Sequence, residues 1–112
     1  MESILNSIKK LLGPTEEQTH FDTDIIFHIN SAFSRLLQLG VGPAEGFHIE
    51  DDIAVWTDFI PDDHPKFQMV KTYIYERVKL RFDPPSNSSV LKAMQEDINE
   101  LEWCLNVASE TK

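Results

Sequence analysis

Asp83-Pro84-Pro85 restricts the fold more than any other stretch of this 112-residue chain. Proline has no N–H to donate, its ring clashes with a preceding helical turn, and it biases the residue before it away from helical backbone. A helix running up to Phe82 must therefore stop, with Asp83 and Pro84 both pushed out of the helical region. Ser86-Asn87-Ser88 then offers short side chains able to cap a new helix. The joint is stiff over the two prolines and fixes the direction in which the last helix leaves. The flanking segments also differ in sign: residues 66–82 carry five basic residues and one acidic, and residues 83–112 carry six acidic and two basic.

Periodicity divides the rest of the chain into further helices. Ile4, Leu5, Ile8, Leu11 and Leu12 recur at helical spacing until Gly13-Pro14, giving a short first helix that must dock on something to persist. PTEEQTHF reads as a polar connector. Asp22 or Thr23 can cap a second helix, in which Ile25, Ile26, Ile29, Phe33, Leu36 and Leu37 form an apolar face and Gly40 supplies the left-handed terminus. GVGPAEGFHIEDD is a loop, and a short strand or a turn of helix fits residues 47–60. Trp56, Phe59 and Ile60 anchor that stretch through aromatic and aliphatic area.

The third helix is expected to begin near His64, with Pro65 in its first position. At roughly 100° per residue, Phe67, Val70, Ile74 and Val78 share one face, and Met69, Tyr73 and Leu80 share a second. Such a helix needs two neighbours, from the same chain or from another copy. In the last helix Leu91, Met94, Ile98, Leu101, Leu105 and Ala108 follow the 3-4 spacing of a narrow packing seam, flanked by Glu96, Asp97, Glu100 and Glu102, with Trp103 off the seam. The expected class is all-α: one small four-helix bundle-like domain with one irregular loop, its last helix spanning about residues 87–110.

Charge and composition narrow the function. The net charge of −9 opposes a general affinity for nucleic acid, and residues 41–65 carry seven acidic residues with no Lys or Arg. Cys104, the single cysteine, rules out an internal disulfide and reads as an apolar filler. No apolar run is long enough to cross a membrane, and MESILNSIKK lacks a signal peptide's apolar segment, so the expected compartment is the cytoplasm. His20, His28, His48 and His64 show no metal-ligand spacing, and Glu50-Asp51-Asp52 and Asp62-Asp63 read as an exposed acidic surface rather than general acid–base groups. Ser86, Ser88 and Ser89 lack a nucleophile context, and GVGPAEG does not match a phosphate-cradling loop. These patterns point to no enzyme. Lys66, Arg77 and Arg81 lie within roughly 60° of one another in projection, which would suit a DNA-reading helix. Val70 and Ile74 share that side, so pairing of the basic residues with carboxylates of the last helix is the stronger reading.

The ordered set ILNSIKKLLG, FDTDIIFHINSAFSRLLQLGVGP, Trp56-Thr57-Asp58 and RFDPPSNSSVL with ELEW (100–103) resembles the small head–tail connector (adaptor) proteins of tailed bacteriophages of Gram-positive hosts, some of them labelled DNA-packaging proteins. The likeness runs from about Ile4 to Leu105. Cys104 departs from it, standing where the family pattern has a basic residue.

The resemblance implies an α-helical structural subunit that assembles with itself into a closed ring, commonly of about twelve copies, below the portal protein. One face of the ring would meet the portal and the other the next head-completion, stopper or tail connector protein. DNA would pass through the bore without specific binding, eased by an acidic lining that repels the duplex. No cofactor, metal, membrane or enzymatic activity is implied. The protein would reside in the virion at the head–tail interface, and in the host cytoplasm during assembly. Met69, Tyr73, Arg77, Leu80, Arg81, Leu101, Trp103 and Leu105 are the expected subunit or portal contacts, with residues 101–112 as the docking segment beyond a hairpin formed by Val90 to Glu100. The competing reading is a DNA-binding packaging factor, a small terminase-like recognition subunit.

Overall fold

The computed structural model describes residues 3–13 and 21–110, with side chains described as far as Asn106. The connector over 14–20, with His20, and the side chain of the seam position Ala108 lie outside these. Four α-helices follow in order: α1 (Ile4–Leu12), α2 (Asp22–Gln38), α3 (Phe67–Phe82) and α4 (Ser88–Glu110), with a 3-10 turn at Trp56–Asp58. They share one hydrophobic core, to which α1 contributes Ile4, Leu5, Ile8 and Leu12.

Ser3 caps α1 by accepting from the Asn6 amide at 3.1 Å. The start of α1 is also tied to the long loop. Ile4 donates its backbone N–H to the Ala54 carbonyl at 2.8 Å, and Ser3 pairs with Val55 in an isolated antiparallel bridge. Of the two forms that fit residues 47–60, the structure has the helical turn, as this 3-10 element, with an isolated bridge beside it in place of a strand. Trp56 then donates from Nε1 to Ser7 Oγ at 2.8 Å, which locks the turn onto α1.

The start of α2 differs from the expectation. Phe21 holds the N-cap position with no side-chain cap, and Asp22 is the first helical residue. Its carboxylate is engaged instead with Lys9 Nζ at 2.7 Å. Lys9 is only 3% exposed, so this pair supplies the counter-charge that a buried ammonium requires. The other end follows the sequence. Gly40 (φ 83°) sits in the left-handed region, the Val41 N–H returns to the Leu36 carbonyl and the Gly40 N–H to Leu37, satisfying carbonyls that the helix end leaves open.

The loop from Val41 is held by side chains of α2. Asn30 donates Nδ2 to the Ile49 carbonyl at 2.9 Å and accepts the Ile49 N–H at 2.8 Å, reproducing a two-bond strand pairing with one amide. Phe33, Phe47 and Phe59 form a triangle with centroids 4.7 to 5.3 Å apart. Gly42 (φ 91°) packs its backbone so close that an added Cβ would run into the Phe59 ring.

α3 begins at Phe67, later than the expected start near His64. A turn closed by the Phe67 N–H on the His64 carbonyl precedes it, and His64 Nδ1 accepts from the Lys66 N–H, so His64 and Pro65 form the approach rather than the first helical turn. Val70, Ile74 and Val78 are fully buried, and α3 packs against α1, α2 and α4. The second neighbour that its two apolar faces demanded is therefore α4 of the same chain.

At the joint, Asp83 takes a non-helical conformation (φ −147°, ψ 68°), as Pro84 requires. Asn87 is the cap of α4, accepting at Oδ1 from the Ser89 and Val90 amides at 2.8 and 3.2 Å. The chain then reverses, so that residues early in α3 face residues late in α4.

Candidate interaction surface

The most developed polar arrangement ties three helices at one carboxylate. Glu102 on α4 receives Arg35 Nη2 of α2 on Oε1 at 3.1 Å. Its Oε2 receives the Tyr73 hydroxyl of α3 at 2.7 Å and Arg77 Nη1 at 3.3 Å. Arg77 Nη1 also donates to the Tyr73 hydroxyl oxygen at 3.1 Å, closing the set. Burial pushes the Glu102 carboxyl up, but hydrogen bonds from Arg35 and Tyr73 and the charges of Arg35 and Arg77 outweigh it and hold the group below its ordinary value. The Tyr73 hydroxyl is pushed up to about 12, first by burial and then by its bond to Glu102. It stays protonated and acts only as a donor and acceptor within the cluster. Hydrogen bonding to Glu102 likewise raises Arg35.

A second carboxyl contact lies one turn along the same hairpin. Burial, then hydrogen bonding and charge repulsion from Asp97, push Glu76 up to about 7. Glu76 Oε2 is enclosed with no hydrogen-bond partner among the described atoms. Two acidic groups facing each other between α3 and α4 are tolerated when one retains its proton.

The basic residues of α3 are largely engaged within the subunit. Arg77 pairs with Glu102, Lys79 Nζ meets Asp83 Oδ2 at 3.0 Å, and Lys71 Nζ stands over the Trp56 and Phe67 rings at 5.8 and 5.2 Å. Arg81 is exposed; burial, and after it the charge of Arg81, holds His28 below its ordinary value. Among these cations Arg77 shows the expected pairing with an α4 carboxylate, through Glu102. By contrast Glu45, Glu50, Asp51, Asp52, Asp58, Asp62 and Asp63 are all exposed.

The residues expected at subunit or portal contacts separate into groups. Tyr73 and Leu105 are fully buried within the subunit, and Met69, Leu80 and Leu101 are half-buried against its core. Arg77 is half-buried in the Glu102 cluster and Arg81 is exposed. Trp103 stands 68% exposed on the outer side of α4. The hairpin does not end at Glu100. Leu101, Glu102 and Leu105 continue the inward face, and Asn106 Nδ2 reaches the Leu39 carbonyl at 3.4 Å. Apart from Trp103, the described part of the expected docking segment is thus built into the fold, because the 3-4 seam continues without a break past Glu100.

Sequence reasoning passed over a groove between α1 and α3. It has a volume of about 360 Å³ and is lined by residues including Lys10, Leu11, Trp56, Lys71, Thr72 and Tyr75. Leu11, at 57% exposure, forms its apolar lip. The one available signal was the Leu11-Leu12 pair, since adjacent helical residues point about 100° apart and cannot both face the same neighbour. Among the described residues, no three His, Cys, Asp or Glu side chains come together as a metal site, and no helix is long and apolar enough to cross a membrane.

The family model for phage connector proteins matches residues 4–112, which takes in all four helices and the loop between α2 and α3. No curated protein and no solved structure matches the chain.

Proposed function

The chain belongs to the phage connector protein family, and from that membership we propose that it is a ring-forming subunit seated below the portal, joining the phage head to the tail. As a connector it is a structural phage protein of the virion that works with other head and tail proteins. The proposal adds the position, the ring and the channel. Copies arrange head to tail around a bore, one face of the ring meets the portal and the other meets the next connector or stopper protein. The subunit acts by binding alone.

The observation carrying this reading beyond the family is the division of the surface. The folded subunit covers its principal core but leaves Leu11, Phe27, Ile53 and Trp103 exposed on different elements. Isolated exposed apolar residues are ordinary, but large ones distributed over separate faces suit a subunit with neighbours on more than one side. The acidic loop has no Lys or Arg over residues 41–65 and supports the channel part of the reading. A bore lined by that loop repels phosphates and lets the duplex move without adhering.

Involvement of most α3 cations in intramolecular contacts disfavours the DNA-reading alternative. The test is to incubate the purified chain with purified portal and, separately, with duplex DNA. A connector co-sediments with portal and leaves the duplex free at low salt. A recognition subunit would bind the duplex with an affinity falling steeply as salt rises.

A further inference from the structure

Trp103 and the α1–α3 groove are complementary features that one subunit cannot bring together. On α3, the groove-lining residues Gln68, Lys71, Thr72 and Tyr75 project roughly 130° away from Tyr73, Glu76 and Arg77, which face α4. Trp103 lies on the side of α4 turned away from that packing, with its side chain open to solvent.

We propose that Trp103 of one copy seats in the α1–α3 groove of the next copy, forming the repeating head-to-tail contact of the assembly. This rests on the ring reading above and specifies the surfaces that make it. The groove's volume of about 360 Å³ accommodates one indole, and Leu11 and Trp56 give it apolar walls. Thr72 and Tyr75 bring hydroxyl groups to the lining, where the indole N–H can find an acceptor.

Charge sets the orientation. Glu100 and Glu96 lie one and two turns before Trp103 on the same side of α4, and both are exposed. Lys71 stands in the groove over the Trp56 and Phe67 rings. An indole entering beside Lys71 therefore brings carboxylates toward an ammonium and adds an aromatic face to a cation already held over two rings. Because knob and groove are different surfaces, each pair of copies still presents one free knob and one free groove. Such a contact propagates until the rotation closes. A single aromatic knob covers about 150–250 Å² and alone gives weak association.

The test uses the full chain in sedimentation velocity and amide NMR from micromolar to about millimolar concentration. The wild type should associate as concentration rises, with the Trp103 indole signal and groove amides shifting together. Trp103→Ala and Leu11→Arg should each weaken association on the order of 100-fold while retaining wild-type thermal melts. Each substitution is at an exposed site, so the fold is expected to survive. Mixing the two variants is decisive: one keeps the groove and the other the knob, so the mixture should form one-to-one dimers and stop there.

A wild type that stays monomeric throughout overturns the contact. So does association that survives Trp103→Ala, or a mixture that forms no dimer. If the Trp103→Ala protein still forms rings on purified portal, this contact falls and the connector reading stands. If the wild type binds no portal, the connector reading itself falls.

Discussion

Tyr73 and Glu102 meet at 2.7 Å across the α3–α4 hairpin, and Arg35 and Arg77 converge on the same carboxylate from α2 and α3. The side chain of Glu102 is only 17% exposed. Removing it leaves two guanidinium groups and a phenol without their shared acceptor, so Glu102→Ala should lower unfolding free energy on the order of 2–4 kcal/mol. Tyr73→Phe, which removes one donor and keeps the ring, should cost about 1 kcal/mol. Urea denaturation of the three proteins measures both.

The two carboxylates of the hairpin give opposite pH dependences. Glu102 is held below its ordinary value, so its stabilisation is present above about pH 4.5 and disappears as pH falls through the lowered folded value. Glu76 is raised from 4.5 to about 7, so the folded state favours its protonated form. Its contribution is complete below the ordinary value and is lost as pH rises through 7. Glu76→Gln should therefore remove the decline in stability between pH 5 and 8. It should also raise stability at pH 8 by about 1 kcal/mol, after allowance for the group's partial solvent exposure. Thermal melts across that range check the sign as well as the size.

Gly42 combines a positive φ with a Cβ position blocked by Phe59. Gly42→Ala should destabilise by about 2 kcal/mol or more, since the side chain must strain the turn or displace a member of the Phe33–Phe47–Phe59 triangle. Gly13→Ala serves as the control. It shares the positive φ but meets no atom within 4 Å, and its cost should be limited to backbone strain of about 1 kcal/mol.

Deleting residues 101–112 removes Leu101, Glu102 and Leu105 together. Leu105 alone is completely buried, and losing one such side chain typically costs about 2–5 kcal/mol. The truncated chain should thus show a strongly lowered or absent cooperative melt by circular dichroism, rather than behaving as a stable monomer that has lost only a docking arm.

Much of the architecture was legible because local rules and packing agree. The double proline fixed the α3–α4 joint, Gly13 and Gly40 marked two helix ends, and the two faces of α3 anticipated neighbours on both sides. The starts of α2 and α3 were less legible. Asp22 has the chemistry of a cap but is taken by Lys9, a partner on another helix that no local window includes. Pro65 suits a first helical position, yet the hydrogen bonds around His64 close a separate turn before the helix. Glu102 looked like one acidic flank residue among four; only the antiparallel packing brings Tyr73, Arg77 and Arg35 around it. The groove escaped because its walls come from α1, the 3-10 turn and α3, three segments distant in sequence.

Ring formation is read from the mass of the complex formed with purified portal, measured by light scattering and viewed end-on by electron microscopy. A connector subunit should add a ring whose mass is a whole-number multiple of the 12.9 kDa chain, surrounding an open bore that continues the portal channel. A chain that remains a separate 12.9 kDa species beside unchanged portal would contradict it.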